Sequence, residues 1–263
     1  MRGAALALGA AALAGLAGAL VSALARRLEW AGLPLEALAL ASLFSLRGLA
    51  AAARRVADAL ARGDLAGARA LVGRHLVSRP TAALGAGQVA SATVESVAEN
   101  LTDSVVAPLA FYLAFGLAGA AVYRAVNTAD AMVGYREGAL EHFGKTAARL
   151  DDVLSFLPAR LAGCAIVAGA SFAGGSAARA LAVMRRDRAA TASPNAGWTM
   201  AAMAGALGVT LEKPGAYRLG DGSLPRAADI ARALRVLFTA TALSLLSLVV
   251  AAWIVRRIVL QSQ

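Results

Sequence analysis

The chain has 263 residues, 59% of them hydrophobic, and a mean hydropathy of +0.64. Soluble domains carry about 45–50% apolar residues, so an ordinary water-soluble globular fold is excluded. The formal net charge of +10 comes mainly from arginines at the ends of apolar runs (Arg26, Arg27, Arg54, Arg55, Arg185, Arg186, Arg188, Arg256 and Arg257). That placement suits membrane-edge anchoring and not a nucleic-acid surface, so the expected partner is the lipid bilayer, with no nucleic acid.

Apolar runs lie at about 4–25, 31–50, 105–126, 161–178 and 236–255, and several reach the roughly 20 residues that span a bilayer as helix. Inside lipid only helices or closed barrels satisfy every backbone group, and the alternating ten-residue strands of a barrel are not visible. The sequence therefore predicts an all-α, polytopic integral membrane protein with about 4–5 membrane segments. It reads as a single membrane-embedded domain over 1–263. An N-terminal membrane hairpin occupies 1–53, an amphipathic connection 54–104, an acidic-motif core 105–184, a polar loop region 185–229 and a C-terminal membrane helix 230–263.

Arg2, an Ala/Leu/Gly run and Ala23-Leu24-Ala25 resemble a secretory leader. The run is longer than a leader's apolar region, however, and Arg26-Arg27 precede a second apolar run, so two spans joined by a turn near Gly32 and Pro34 are expected. Asp64 before Leu65-Ala66-Gly67 predicts a capped helix. Arg79-Pro80-Thr81 is a break, and a helix is expected from about Ala86 to Ser104. Pro158 is expected to kink the apolar stretch 153–184. Ser193-Pro194-Asn195 is expected to start a helix, with Ser193 at the N-cap and Pro194 at the first helical position; backbone N–H groups there suit a phosphate.

Eight of the sixteen carboxylates fall within 95–152: Glu95, Glu99, Asp103, Asp130, Glu137, Glu141, Asp151 and Asp152. Glu95, Glu99 and Asp103 repeat at i, i+4, i+8 and share one helix face. Either they line a solvated face or a cation offsets their repulsion. Carboxylates and Asn carbonyls are the hard oxygen ligands that Mg²⁺ takes, often with phosphate oxygens completing the shell. An Asn-x-x-Asp pattern occurs twice, as Asn100/Asp103 and Asn127/Asp130, at the two ends of the apolar stretch Val105–Val126, whose one charge is Arg124. A straight helix over that stretch would cover roughly 33 Å and put the two copies in opposite compartments. A turn at Gly116-Leu117-Ala118-Gly119 would instead make a re-entrant helical hairpin near 105–126 and return both copies to one side. The hairpin is the preferred reading.

Gly144-Lys145-Thr146 looks like the end of a P-loop, but the upstream Gly138 leaves it one residue too long and no strand precedes it. Lys145 is either a phosphate contact or a solvated helix-start lysine. Asp151-Asp152 is either part of a metal or nucleotide edge or an acidic helix start. His75 and His142 show no metal-ligand spacing and are expected at the surface. Cys164 is alone, which excludes a disulfide framework.

Taken together, Glu95-Ser-Val-Ala-Glu-Asn-Leu-Thr-Asp-Ser-Val-Val-Ala-Pro108 and Tyr123-Arg-Ala-Val-Asn-Thr-Ala-Asp-Ala-Met-Val-Gly-Tyr135 resemble the adenosylcobinamide-phosphate synthases, the CobD/CbiB type of cobalamin-biosynthesis membrane enzyme. Phe143-Gly-Lys145, Ala148-Arg-Leu-Asp-Asp-Val153, Leu157-Pro-Ala-Arg160, Ser193-Pro-Asn195 and Ala204-Gly-Ala-Leu-Gly208 extend the resemblance in order, from about residue 72 to the C-terminus.

The resemblance implies ATP-dependent amide ligation of adenosylcobyric acid to aminopropanol phosphate or a related amino-alcohol phosphate. On that basis Glu99, Asp103 and Asp130 are expected to hold Mg²⁺. Glu95, Asn100, Asn127, Arg149, Arg160, Ser193 and Asn195 are expected to bind nucleotide or substrate, and Lys145, Asp151 and Asp152 to act in catalysis. ATP is cytoplasmic, so the site is expected to open to the cytoplasmic side of the cell (inner) membrane. A homo-oligomer, or association with other membrane enzymes of the corrinoid pathway, fits the same implication.

Two departures stand out. Residues 1–263 lack the Asp-Pro…His-Pro-Val segment with which the family usually begins, so the expectation is a truncated or shortened form. Gly73-Arg74-His75 stands where the family commonly reads Gly-Arg-Asp. The alternatives are a non-catalytic membrane regulator of the same superfamily, resembling the β-lactamase regulator AmpE, and a cation transporter.

The hairpin has a direct check. In a Cys164→Ala background, Asp103→Cys and Asp130→Cys are expected to react with a membrane-impermeant maleimide from the same side of the membrane. Labelling from opposite sides would mean one straight span.

Overall fold

The computed structural model describes residues 2–134 and 143–261. Helix α1 (Arg2–Arg27) leads through a 3₁₀ turn at Glu29–Ala31 into α2 (Gly32–Ser42). Helices α3 (Leu46–Ala61), α4 (Leu65–His75) and α5 (Ala86–Leu101) follow. A π-helical turn, Thr102–Val106, joins α5 to α6 (Ala107–Val133). Next come α7 (Lys145–Leu154), α8 (Phe156–Phe172), α9 (Ala177–Asp187) and α10 (Ala196–Leu207). Strands β1 (Leu211–Lys213) and β2 (Tyr217–Leu219) form a small hairpin before the long α11 (Ala227–Gln261).

Among the described residues, four stretches are long and apolar enough to cross a membrane: Gly3–Arg27, Glu29–Ala61, Ala86–Val133 and Ala227–Val255. The bent pair Lys145–Leu154 and Phe156–Phe172 makes a fifth if counted as one span. The protein is thus an all-α, multi-pass membrane protein, with a two-stranded hairpin that the apolar pattern did not announce. The chain divides into two compact units, one of 1–44, 103–158 and 245–263, the other of 45–102 and 159–244.

In the first unit α6 is not one straight helix. Gly116 has φ 66° and ψ −164°, a conformation essentially restricted to glycine. Beyond it the chain folds back. The Phe111 and Tyr123 rings stack at 5.3 Å with 15° between their planes, although twelve residues of straight helix would separate them by roughly 18 Å. The Tyr123 hydroxyl also lies 3.5 Å from Asp103 Oδ1. The re-entrant hairpin is therefore the fold of this segment, and the stretch Ala86–Val133 is not a single crossing.

Helix α1 covers the hairpin. A Cβ at Gly18 would meet Ala118 Cα and Leu117 O at 2.8 Å, so only glycine lets the two backbones approach so closely; small residues at membrane helix contacts do this generally. On α2, the Glu36 carboxylate lies within an apolar helix and is met by the Ser22 hydroxyl at 3.2 Å and the Tyr112 hydroxyl at 3.4 Å. Leu13, Leu16 and Leu20 of α1 remain exposed, as expected where lipid is the solvent.

The second unit is built around α5, whose residues from Val89 to Ala98 are all buried. It packs against α3, α4, α10 and β1. β1 pairs antiparallel with β2, Leu211 opposite Leu219, and both leucines are fully buried. The expected capped helix is present: Gly67 N donates to Asp64 Oδ1 at 2.8 Å.

Several boundaries differ from expectation. The helix from Ala86 keeps α-geometry only to Leu101 and widens into the π-turn holding Asp103. The bend expected at Pro158 falls at Ser155, between α7 and α8, and measures 53°. Pro158 instead occupies the first turn of α8, where its missing N–H costs no helical bond. His75 is exposed as expected. Tyr135, Glu137, Gly138, Glu141 and His142 lie outside the described residues.

Gly116→Ala forces a Cβ into the glycine-only conformation and is expected to destabilise the protein by about 1–3 kcal/mol, read as a lower thermal midpoint in detergent. Gly9→Ala, on α1 with open space around the new methyl, is expected to leave the midpoint within error of the parent.

Candidate active site

The fold-back of α6 gathers polar side chains in the first unit. The Tyr123 hydroxyl is fully buried and lies 3.0 Å from Ser155 Oγ and 3.5 Å from Asp103 Oδ1. Ser155, at the break between α7 and α8, donates to Asp151 Oδ2 at 3.5 Å. Asp151 Oδ1 accepts from Asn127 Nδ2 at 3.1 Å, and Asn127 Oδ1 accepts from Arg124 Nη1 at 3.2 Å. Asp130 and Asp152 lie within electrostatic reach of each other and of Asp151.

The sequence-predicted residues Asp103, Asn127, Asp130, Asp151 and Asp152 thus belong to one constellation, held by three elements: the π-turn, the return arm of α6, and α7. Lys145 and Arg149 stand exposed on α7, one turn apart. Arg124 also lines an apolar cavity of about 340 Å³, together with Gly18, Leu117 and Thr128.

The second unit holds the remaining predicted residues in two places. Glu95 is 4% exposed. Its Oε1 accepts from Ser91 Oγ at 2.8 Å, and its Oε2 from Tyr217 OH at 2.9 Å and Arg79 Nη2 at 3.1 Å. Ser91 Oγ in turn accepts from Glu212 N at 2.7 Å, so a buried carboxylate on α5 secures the β-hairpin. Burial and the nearby Glu95 and Glu99 carboxylates hold the Tyr217 phenol well above its ordinary ionisation range. It therefore stays a donor to Glu95. Asn100 donates back to Ser96 O at 2.9 Å.

The other place is the start of α10. Arg160 Nη1 donates to Asn195 Oδ1 at 2.8 Å, which joins two predicted residues. The helix start differs from expectation here: the N-cap is Asn195 and not Ser193. Ser193 Oγ instead accepts from Asn195 N at 3.2 Å, which holds the N-cap residue from outside the helix.

Among the described residues no three His, Cys, Asp or Glu side chains converge as a ready-made metal cage. Of the residues expected to hold the metal, Asp103 and Asp130 belong to the first unit and Glu99 to the second. Sequence reading missed Tyr123, Ser155, Arg79 and Tyr217. The first lies within the resembling stretch; nothing in the spacing of the other three marks the partners Glu95, for Arg79 and Tyr217, and Tyr123, for Ser155, which are 16 or more residues away in the chain.

Comparison with known proteins gives this arrangement a context. The family described as CobD/Cbib protein matches residues 1–257. The chain belongs to the CobD/Cbib protein family. It is 50% identical over 182 residues to the "Cobalamin biosynthesis protein CobD" of Dehalococcoides mccartyi, covering 69% of this chain and 58% of that one. It is 48% identical over 162 residues to the "Probable cobalamin biosynthesis protein CobD" of Methanococcus vannielii, covering 62% and 52%. With the protein of that name from Methanothermobacter thermautotrophicus, identity is 43% over 187 residues, covering 71% and 62%. The chain thus spans about half to three-fifths of the length of these relatives. No solved structure matches.

Glu95→Ala removes one partner of a buried ion pair and strands Arg79, whose Nε is already buried without a hydrogen bond. The expected loss of stability is about 3 kcal/mol. Tyr217→Phe, which removes one neutral donor, is expected to cost about 1 kcal/mol. Thermal midpoints of the two variants in detergent give the order; a larger loss for Tyr217→Phe would contradict the network.

Proposed function

We propose that the protein is an ATP-dependent amide ligase of the cell (inner) membrane, joining a propionate carboxylate of adenosylcobyric acid to aminopropanol phosphate. The observation that carries this reading is the fold-back of α6 at Gly116. It puts Asp103 in contact with Tyr123, whose hydroxyl meets Ser155, and Ser155 and Asn127 both bond Asp151, which supports a shared role for these carboxylates.

Amide formation from a carboxylate needs that carboxylate activated. In the first step its oxygen attacks the γ-phosphorus of ATP, giving an acyl phosphate and ADP. In the second the amine attacks the acyl carbon, phosphate leaves with the former carboxylate oxygen, and the amine proton passes to a base. Phosphoryl transfer of this kind rests on positioning and charge stabilisation more than on covalent chemistry from the protein.

The donor set of Asp103, Asp130 and the Asn127 amide suits Mg²⁺, which usually takes one or two protein carboxylates and completes its shell with phosphate oxygens and water. Mg²⁺, when bound, supplies screening of the phosphate charge. Lys145 and Arg149, exposed on α7, contact the nucleotide phosphates in this reading. Asp151 or Asp152 is the base for the amine proton. The Asn127 and Ser155 bonds to Asp151 fix the orientation of that carboxylate. ATP is supplied from the cytoplasm, so the site opens to that side.

The test is the reaction itself. Protein purified in detergent and given ATP, Mg²⁺, adenosylcobyric acid and aminopropanol phosphate is expected to form the amide with release of ADP. Asp151→Asn and Asp103→Asn are expected to lower turnover at least about 10²-fold, in the range found for loss of a general base or a charge-stabilising group. Normal turnover by both variants would remove the carboxylate constellation from the mechanism.

A further inference from the structure

A concentration of positive charge is built into the start of α10. Arg160 of α8 and Arg188, just past the end of α9, both lie over the Trp198 ring, with guanidinium carbons 4.8 Å and 5.0 Å from its centroid. Two cations on one ring repel each other. Both donate to neutral oxygens: Arg160 to Asn195 Oδ1 at 2.8 Å and to Pro194 O at 3.5 Å, Arg188 to Arg185 O at 2.9 Å.

The neighbouring arginine makes the contrast. Arg186 bonds the Asp187 and Asp221 carboxylates at 2.6 Å and 2.8 Å. Among the described residues, Arg188 has no carboxylate partner. The run Arg185-Arg186-Asp187-Arg188 thus neutralises one guanidinium and turns another, unneutralised, onto Trp198.

The local backbone keeps it there. A Cβ at Gly197 would stand 2.1 Å from Arg188 O, so the first turn of α10 is pressed against Arg188. Asn195, at the N-cap, spends its side-chain oxygen on Arg160 and makes no bond to the first-turn N–H groups. The positive end of the α10 dipole therefore adds to two guanidiniums.

We propose that Arg160 and Arg188, stacked on Trp198, form a clamp for a metal-free phosphomonoester, the phosphate of the amino-alcohol substrate; the identity of that ligand rests on the ligase reading above. Two guanidiniums match the charge and the planar, forked hydrogen-bonding geometry of a phosphate dianion. A nucleotide polyphosphate arrives with Mg²⁺ and calls for carboxylates, and those gather around Asp151 in the other unit. Trp198 holds the guanidiniums in register and reports on them.

The test uses the full chain in detergent with Trp30 and Trp253, both exposed, replaced by Phe, so that Trp198 is the only tryptophan. Aminopropanol phosphate is expected to change Trp198 emission saturably, whereas unphosphorylated aminopropanol and a non-hydrolysable Mg-ATP analogue at the same concentrations leave it unchanged. Arg188→Gln and Arg160→Gln are each expected to weaken the response at least tenfold. Arg188→Lys, which keeps charge but loses the fork and the stacking, is expected to restore only part of it. Undiminished affinity in both Gln variants, an equal response to the unphosphorylated amine, or a response to the Mg-nucleotide in its place overturns the clamp. If a Gln variant fails to fold, Arg188→Lys with parental helical circular dichroism decides: unchanged affinity there also overturns it. Binding as expected from a preparation that forms no amide would leave the clamp standing and remove the ligase reading.

Discussion

Reversal of the chain at Gly116 is the constraint on which the first unit depends. In hydrocarbon an unsatisfied peptide group costs several kcal/mol, so a turn at membrane depth must be enclosed by protein. Here the enclosure comes from α1, whose Gly18 brings its backbone onto Ala118, and from α2, whose Glu36 accepts from Ser22 and Tyr112. Tyr112 stands four residues before the turn, so this intramembrane carboxylate anchors the hairpin near its tip.

The same constraint governs the buried carboxylates. An isolated ionised carboxylate away from water is too costly to persist, and Glu95 and Asp151 are offset by donors. Glu95 is held by Ser91, Tyr217 and Arg79, and that network fixes the β-hairpin on α5. Asp151 is held by Asn127 and Ser155, at a helix break that frees Ser155 to reach both Asp151 and Tyr123. The two acidic sites differ in consequence. Both Glu95 oxygens are committed to folding contacts, whereas Asp151, Asp130 and Asp152 form a half-buried like-charge group that a cation would relieve.

The π-turn at Thr102–Val106 separates these two sites along the chain. π-turns inside α-helices occur frequently at functional sites, and this one carries Asp103. The i, i+4, i+8 series of Glu95, Glu99 and Asp103 looks like one continuous helical face in the sequence. The extra residue in the turn breaks that register between Glu99 and Asp103. It assigns Glu95 to the folding network and Asp103 to the hairpin.

Much of this architecture is legible in the amino-acid sequence. The apolar runs announce membrane helices because lipid admits few other backbones. The paired Asn-x-x-Asp and the Gly-x-x-Gly between its copies point to a reversal as the preferred of two paths, because only a turn there lets both copies share one side of the membrane. The resembling motifs announce the family. Local signals succeed where a single turn decides the outcome, as at Asp64. They slip by a residue or more where tertiary bonds compete, as at Asn195, whose side chain goes to Arg160, and at Ser155, which takes the bend expected at Pro158. Pairings such as Tyr123 with Asp103, Tyr217 with Glu95 and Arg188 with Trp198 are out of reach of the sequence. Periodicity and capping describe only what neighbours along the chain do. Which distant donor meets which buried acceptor is decided when helices pack, since burial makes each unmet polar group expensive enough to select its partner.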